Sequence, residues 1–312
     1  MSRRNRQPAF TSYYGRPILK EPTWEPLDIA GYLFTGGLAG GSSIIAAAAS
    51  LSDRPALARA CRLGASAAIG VSLAALVHDL GKPARFINML RVAKPTSPMS
   101  VGSWLLAAYS PLVGAAAAAD LTGKLPRVGR AAGLGAGVLG AGVASYTAAL
   151  ISDTAVPAWH DARQEMPYVF VGSAAAAAGG WAMMTAPVSQ TGPARLAAAV
   201  GGAVEVTGTT LIERRIGLAG ETYQQGKAGT LMRAAKALTG IGAIGGLLLG
   251  GRSRVAAALS GAALLGGSAL TRFGIFEAGR ASTVDPKYTV VPQRERLAER
   301  AAEPAVQSSR PS

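Results

Sequence analysis

The sequence predicts an all-α integral membrane protein of eight transmembrane helices, arranged as two four-helix bundles with both termini in the cytoplasm. Three observations carry this expectation. Only 15% of the 312 residues are charged while 49% are hydrophobic, whereas an average soluble domain is about 25% charged. Four long runs contain no Asp, Glu, Lys or Arg at all: Ile29–Ser52, Pro95–Ala119, Ala131–Ser152 and Met166–Ala194. At ordinary soluble charge density a run of the first one's length arises on the order of once per thousand starting positions. An Ala-rich soluble bundle would need a polar face on each helix, and these runs have none. The third observation is the uneven placement of basic residues between the runs.

About 20 mostly apolar residues are needed per crossing. The first span is placed at 28–50, on the first uncharged run. The second, 57–80, ends where Gly81 and Pro83 should stop a helix and turn the chain. The third and fourth, 100–122 and 129–152, occupy the next two runs. The fifth, 167–186, lies in the last uncharged run, and the sixth, 193–213, carries Glu205 about halfway along. The seventh and eighth follow at 230–250 and 253–273. This divides the chain into a polar N-terminal segment (1–27), a first membrane half (28–152), a loop (153–166), a second half (167–273) and a polar, largely disordered tail (274–312). Residues 1–26 have neither the apolar core nor the cleavage site of a secretory signal.

With these spans, 22 of the 31 Lys and Arg residues, Arg272 among them, fall on one side. The other side has only Arg54, Arg59, Arg62, Lys124, Arg127, Arg130, Arg195, Arg252 and Arg254. The positive-inside rule therefore puts both termini in the cytoplasm. It also explains the net charge of +14 without nucleic acid, because the basic residues punctuate apolar runs instead of lining one soluble face. Ala and Gly inside the spans let helix backbones approach closely in lipid, although a compositional bias of the coding sequence would look the same. "YLFTGGLAGG" from Tyr32 and "YVFVGSAAAAAGG" from Tyr168 share Tyr-x-Phe-x-Gly on spans of the same direction, the pattern of a parallel four-plus-four repeat. Ala/Gly-rich chains yield such matches easily.

The available chemistry is narrow. Two histidines, His78 and His160, and one cysteine, Cys61, cannot ligate two haems or an iron–sulfur cluster, and no Cys/His cluster suits zinc. Any redox centre must sit in another subunit. Polar groups at membrane depth are functional candidates by default. Asp79 closes the second span beside His78, with Arg85 beyond the turn; the two form either a capping ion pair or part of a pocket. Tyr146 lies about two turns from the end of the fourth span, at similar depth to Asp79, as an interfacial residue or a pocket wall. Glu205 is the deepest carboxylate, either hydrogen-bonded across helices or lining a proton path. Trp24, Trp104 and Trp159 read as interfacial anchors.

"YLFTGGLAGGS", "HDLGKPARFINMLRVAKPTSPMSVGSW", "SYTAALIS" and "PAWHDARQEMPYVF" together resemble the NrfD/PsrC-type, polysulfide reductase-like membrane subunits of iron–sulfur and molybdopterin oxidoreductases. The resemblance runs along nearly the whole chain and is less diagnostic beyond Ala186. It implies an eight-helix, haem-free subunit that anchors a ferredoxin-like iron–sulfur protein and a molybdopterin-type catalytic subunit and exchanges electrons with menaquinone or another quinone. It carries Asp79, Arg85 and Tyr146 over as quinone-binding or proton-relay residues, with His78 and Asn88 as further pocket groups. Certain members use a His on the first span, which has no counterpart here. The charge distribution places the partners on the cytoplasmic side. A purely structural anchor, or a proton-translocating or transporter subunit working through Glu205, remain the alternatives.

Overall fold

The computed structural model describes residues 18–82 and 84–307; most of the N-terminal segment, with Arg3, Arg4, Arg6 and Arg16, and residues 308–312 lie outside the described residues. Every regular element among the described residues is helical. The long helices are α1 (Pro26–Leu51), α2 (Pro55–Asp79), α4 (Pro98–Thr122), α5 (Pro126–Ser152), α7 (Met166–Thr185), α8 (Gly192–Arg215), α10 (Gly226–Leu248), α11 (Arg254–Val284) and α12 (Lys287–Gln307), with short helices α3 (Ala84–Met89), α6 (Pro157–Asp161) and α9 (Glu221–Gln224) between them. Proline opens six of the long helices, at a position where its missing N–H costs nothing and its fixed φ suits the helix. Gly123, at φ +68, ends α4 in the left-handed conformation that a glycine adopts without strain. Among the described residues seven helices are long and apolar enough to cross a membrane: α1, α2, α4, α5, α8, α10 and α11. The protein is thus a multi-pass membrane protein.

Packing follows the same order twice. In the first half α1 packs on α2 and α5, α4 on α5 and α2; in the second α7 packs on α8 and α11, α10 on α11 and α8. The two sets also share one core, because α1 lies directly against α7 and α11, and one buried cluster runs from Ile29 to Ala278. α7 is the innermost helix. Its 20 residues include no charge, and it touches α1, α5, α8 and α11.

The glycines are structural at these crossings. A Cβ on Gly40 would sit 2.5 Å from the Gly140 carbonyl oxygen of α5, and one on Gly41 2.6 Å from the Ala174 carbonyl of α7. Either would force two helices apart, as expected where small residues replace the missing hydrophobic drive between helices in lipid. Compositional bias alone would not put them at the contacts.

Two boundary expectations are corrected. The last span does not stop at 273: α11 runs on to Val284, so Arg272 is inside the bundle with 1% of its surface exposed. The segment expected to be largely disordered is helical as α12 over its described part; "RERLAERAAEPA" is rich in Ala, Leu, Glu and Arg, all good helix formers. Trp159 is no interfacial anchor either. It is fully buried, donates from Nε1 to the Ile275 carbonyl at 2.8 Å and rests on Gly279.

Candidate functional site

One cavity lies where the first turns of α1 and α4 meet the last turns of α2 and α5. Its volume is about 110 Å³, and its lining includes Trp24, Tyr32, Asp79, Met99, Gly102 and Tyr146. Leucine and isoleucine side chains of all four helices make up most of the remaining wall. The site is therefore an apolar slot with four oxygen-bearing side chains, those of Tyr32, Asp79, Ser103 and Tyr146.

Each polar group is positioned by its helix. Tyr32 is 3% exposed, and its hydroxyl is hydrogen-bonded to the hydroxyl of Tyr146 across α1 and α5. The Tyr146 ring lies against Gly102 of α4, where any Cβ would collide with it. Two hydroxyls carry two hydrogens and one is used between them, so the pair keeps one donor for a third group. Asp79 accepts the Glu25 backbone N–H at 3.2 Å through Oδ1, which leaves Oδ2 free of that bond. Trp24 closes the slot and stacks on Trp159, ring centroids 5.9 Å apart and 15° from parallel. The buried Trp159 in turn meets Phe276 of α11 at 5.8 Å, tying the cavity wall to the second half.

The sequence-predicted residues separate into those the fold gathers and those it does not. Asp79 and Tyr146 share the cavity. Arg85 does not pair with Asp79; it is exposed on α3 and donates to the Leu80 carbonyl at 3.1 Å, which also accepts the Lys82 backbone N–H at 2.8 Å. The five residues between Asp79 and Arg85 include the turn at Gly81, φ +66, and that turn carries the guanidinium away. Asn88 is also exposed and lies off the cavity lining, which takes Met89 from that helix instead. His78 pairs with Asp28 of α1, Nδ1 to Oδ2 2.6 Å, with its ring 79% exposed. Tyr32 was missed as a site residue. Its signal was present in "YLFTGG", read above only for repeat and resemblance.

Glu205 belongs elsewhere. It is 1% exposed on α8, accepting the Thr271 hydroxyl at 2.5 Å and the Thr239 hydroxyl at 3.5 Å. Next in sequence to Thr271 is Arg272, whose guanidinium lies 3.7 Å above the Phe170 ring and donates from Nη2 to the Phe170 carbonyl at 2.9 Å. Its Nε and Nη1 have no protein partner among the described residues. A carboxylate and a guanidinium are thus held in one buried polar cluster of the second half, apart from the slot. No group of three or more His, Cys, Asp or Glu side chains among the described residues could hold a metal ion.

The model of the polysulphide reductase NrfD family matches residues 20–193. The chain belongs to the NrfD family. This NrfD chain is therefore a membrane subunit of an oxidoreductase complex, in a family whose subunits typically interact with quinones and with iron–sulfur and molybdopterin subunits. No curated protein gives a significant match to the chain. The NrfD match spans every residue of the slot, from Trp24 to Ile151, and leaves Glu205 and Arg272 outside it.

Proposed function

We propose that the slot between α1, α2, α4 and α5 binds the head group of a membrane quinone, and that the chain passes electrons between this quinone and an iron–sulfur subunit docked at the same end of the bundle. The observation that supports this most is the convergence of Asp79 with the Tyr32–Tyr146 pair at one apolar cavity. The residues fit such a ligand. A carbonyl oxygen needs a donor, which the tyrosine pair retains; the ring needs apolar faces, which leucines, isoleucines and methionines supply; the isoprenoid tail needs a path between helices. An engineered apolar cavity of roughly 150 Å³ admits benzene; the slot, at about 110 Å³, is smaller, so a quinone ring enters it only as the lining side chains move apart.

Quinone turnover moves two electrons and two protons. The chain has no redox group of its own to supply the electrons, so its residues act on binding and on protons. The tyrosine pair orients the carbonyl by donating a hydrogen bond. Asp79 is placed at the mouth of the slot, where Oδ2 can take or give a proton to water at the helix ends. Trp24 covers the slot and limits water entry.

The proposal includes eight crossings, with α7 as the eighth spanning helix, because its 20 uncharged residues match the thickness of the hydrocarbon core. It also includes cytoplasmic termini in the cell membrane. With Arg272 moved into the bundle the division of Lys and Arg becomes 21 against nine, still strongly one-sided. The iron–sulfur and molybdopterin subunits then dock on the cytoplasmic face, where α3, α6 and α9 lie.

The test is quinone-linked turnover in the assembled complex carrying Asp79→Asn or Tyr146→Phe. Loss of turnover with intact assembly and intact electron transfer to a soluble dye supports the reading. Full quinone turnover in both variants sinks it and leaves a structural anchor.

A further inference from the structure

A second, larger cavity lies at the opposite end from the slot. It occupies about 660 Å³ between the α1–α2 and α4–α5 turns, and Arg54, Arg59, Arg62 and Arg130 line it with only Asp53 and Asp120 as counter-charges. Arg62 is held by Asp120 in a two-pronged ion pair, Nε to Oδ2 2.6 Å and Nη2 to Oδ1 2.8 Å, and Arg130 donates to the Ser50 carbonyl at 3.1 Å. Arg59 is exposed and has no hydrogen-bond partner among the described residues. The N-terminal ends of α2 and α5, at Pro55 and Pro126, also border the cavity and add the positive ends of two helix dipoles.

This concentration runs against the topology. Of the nine basic residues on the sparse side, Arg54, Arg59, Arg62, Lys124, Arg127 and Arg130 crowd these two turns, where a membrane protein ordinarily avoids them. On the second half the corresponding end is used differently: Arg254 caps the last carbonyls of α7, donating to Met183 at 2.8 Å and Ala186 at 2.9 Å. Both turns at the cavity are strained as well. Asp53 and Leu125, each at φ +52, are the non-glycine residues with positive φ among the described residues, and they sit in these two turns. A leucine in that conformation is a genuine outlier, and such strain collects at ligand sites.

We propose that this cup holds the phosphate of an anionic phospholipid. The choice of a lipid over a soluble anion rests on what lies beside the cup. Leu51, Leu121, Leu125 and Val128 are 69%, 67%, 69% and 53% exposed and lie in the same helix ends and turns that supply the lining, so the cationic cavity has unburied apolar side chains beside it. A free phosphate or an acidic peptide has no use for such side chains. A phosphodiester with two acyl chains satisfies both parts, phosphate to arginine and chains to leucine.

The test uses the full chain within its complex, purified from phosphatidylglycerol–phosphatidylcholine nanodiscs into mild detergent, with retained lipid measured by mass spectrometry. Preferential retention of phosphatidylglycerol by the wild type is expected, falling about fivefold for each arginine removed in Arg59→Gln and Arg59→Gln/Arg130→Gln. Arg252→Gln, on the same side but outside the cavity, should leave it unchanged. Equal retention of the two lipids by the wild type overturns the proposal without need of any variant. So does unchanged retention in the double variant, or displacement of the lipid by millimolar inorganic phosphate, which would make the cup a site for a soluble anion.

Discussion

The hydroxyls of Tyr32 and Tyr146, 114 residues apart in sequence, are hydrogen-bonded to each other across α1 and α5. Neither residue alone defines a binding site. Together they leave one donor aimed by two helices, and the pair is expected to act as a unit. Tyr32→Phe and Tyr146→Phe should each lower kcat/KM for quinone by about tenfold, the effect of losing one positioned hydrogen bond. The double variant should lose much less than the product of the two, because the first substitution already breaks the pair. Multiplicative losses in a double-mutant cycle would show two independent roles.

Gly102 is the floor beneath the Tyr146 ring. Gly102→Ala should displace the ring and reproduce the Tyr146→Phe defect although the hydroxyl is retained. Gly114→Ala on the same helix, where a Cβ meets nothing within 4 Å, should leave turnover intact. Equal behaviour of the two alanines in steady-state assays would remove Gly102 from the site.

Glu205 and Arg272 are expected to support the fold more than the slot. Arg272→Ala leaves a void beside Phe170 and removes the charge facing Glu205, and should cost about 3–5 kcal/mol; a large fall in Tm in detergent would register it. Glu205→Gln keeps an acceptor for only one of the two threonine hydroxyls and leaves the buried Arg272 without its counter-charge, so it should lower Tm as well. If Glu205→Gln instead abolishes proton movement while electron transfer continues, the cluster carries protons.

The Asp161 carboxyl, on α6 outside the spanning helices, is held above the usual carboxylate range by burial, an effect partly offset by His160, Arg296 and Arg163. A raised folded-state value means the folded protein binds the proton more tightly than the unfolded chain. Its contribution is therefore fully present below the unfolded value and lost as pH rises through the folded one. Asp161→Asn should gain Tm relative to the wild type as pH rises from about 4 to about 7. A constant difference across that range would show that ionisation of Asp161 is not felt by the fold.

Orientation has its own check. A reporter fused after Ser312 should be active only in a form that works in the cytoplasm. Activity of a periplasm-specific reporter instead would place the slot and the docking face outside and invert the assignment of the arginine cup.

Much of the fold was legible because lipid imposes a simple rule: a stretch without charge and about 20 residues long must be a helix that satisfies its own backbone. Asp79 and Tyr146 could be matched for depth because each lies a countable number of turns from a helix end. The same counting failed at Arg272, where a length rule ended the span at a charged residue that the bundle buries. It also paired Asp79 with Arg85 by proximity along the chain, when the Gly81 turn sends them to different places.

The sequence by itself determined that this is a helical membrane protein with only two histidines and one cysteine, and which residues could meet at one end of its helices. Only the tertiary structure decided that Tyr32 completes the slot, that Arg85, Asn88 and His78 stay outside it, and that four arginines surround a second cavity. Hydropathy and charge act on each segment separately and can be read along the chain. Which faces of the helices meet depends on close approach at Gly40, Gly41 and Gly102, a property of pairs of helices that no single segment contains.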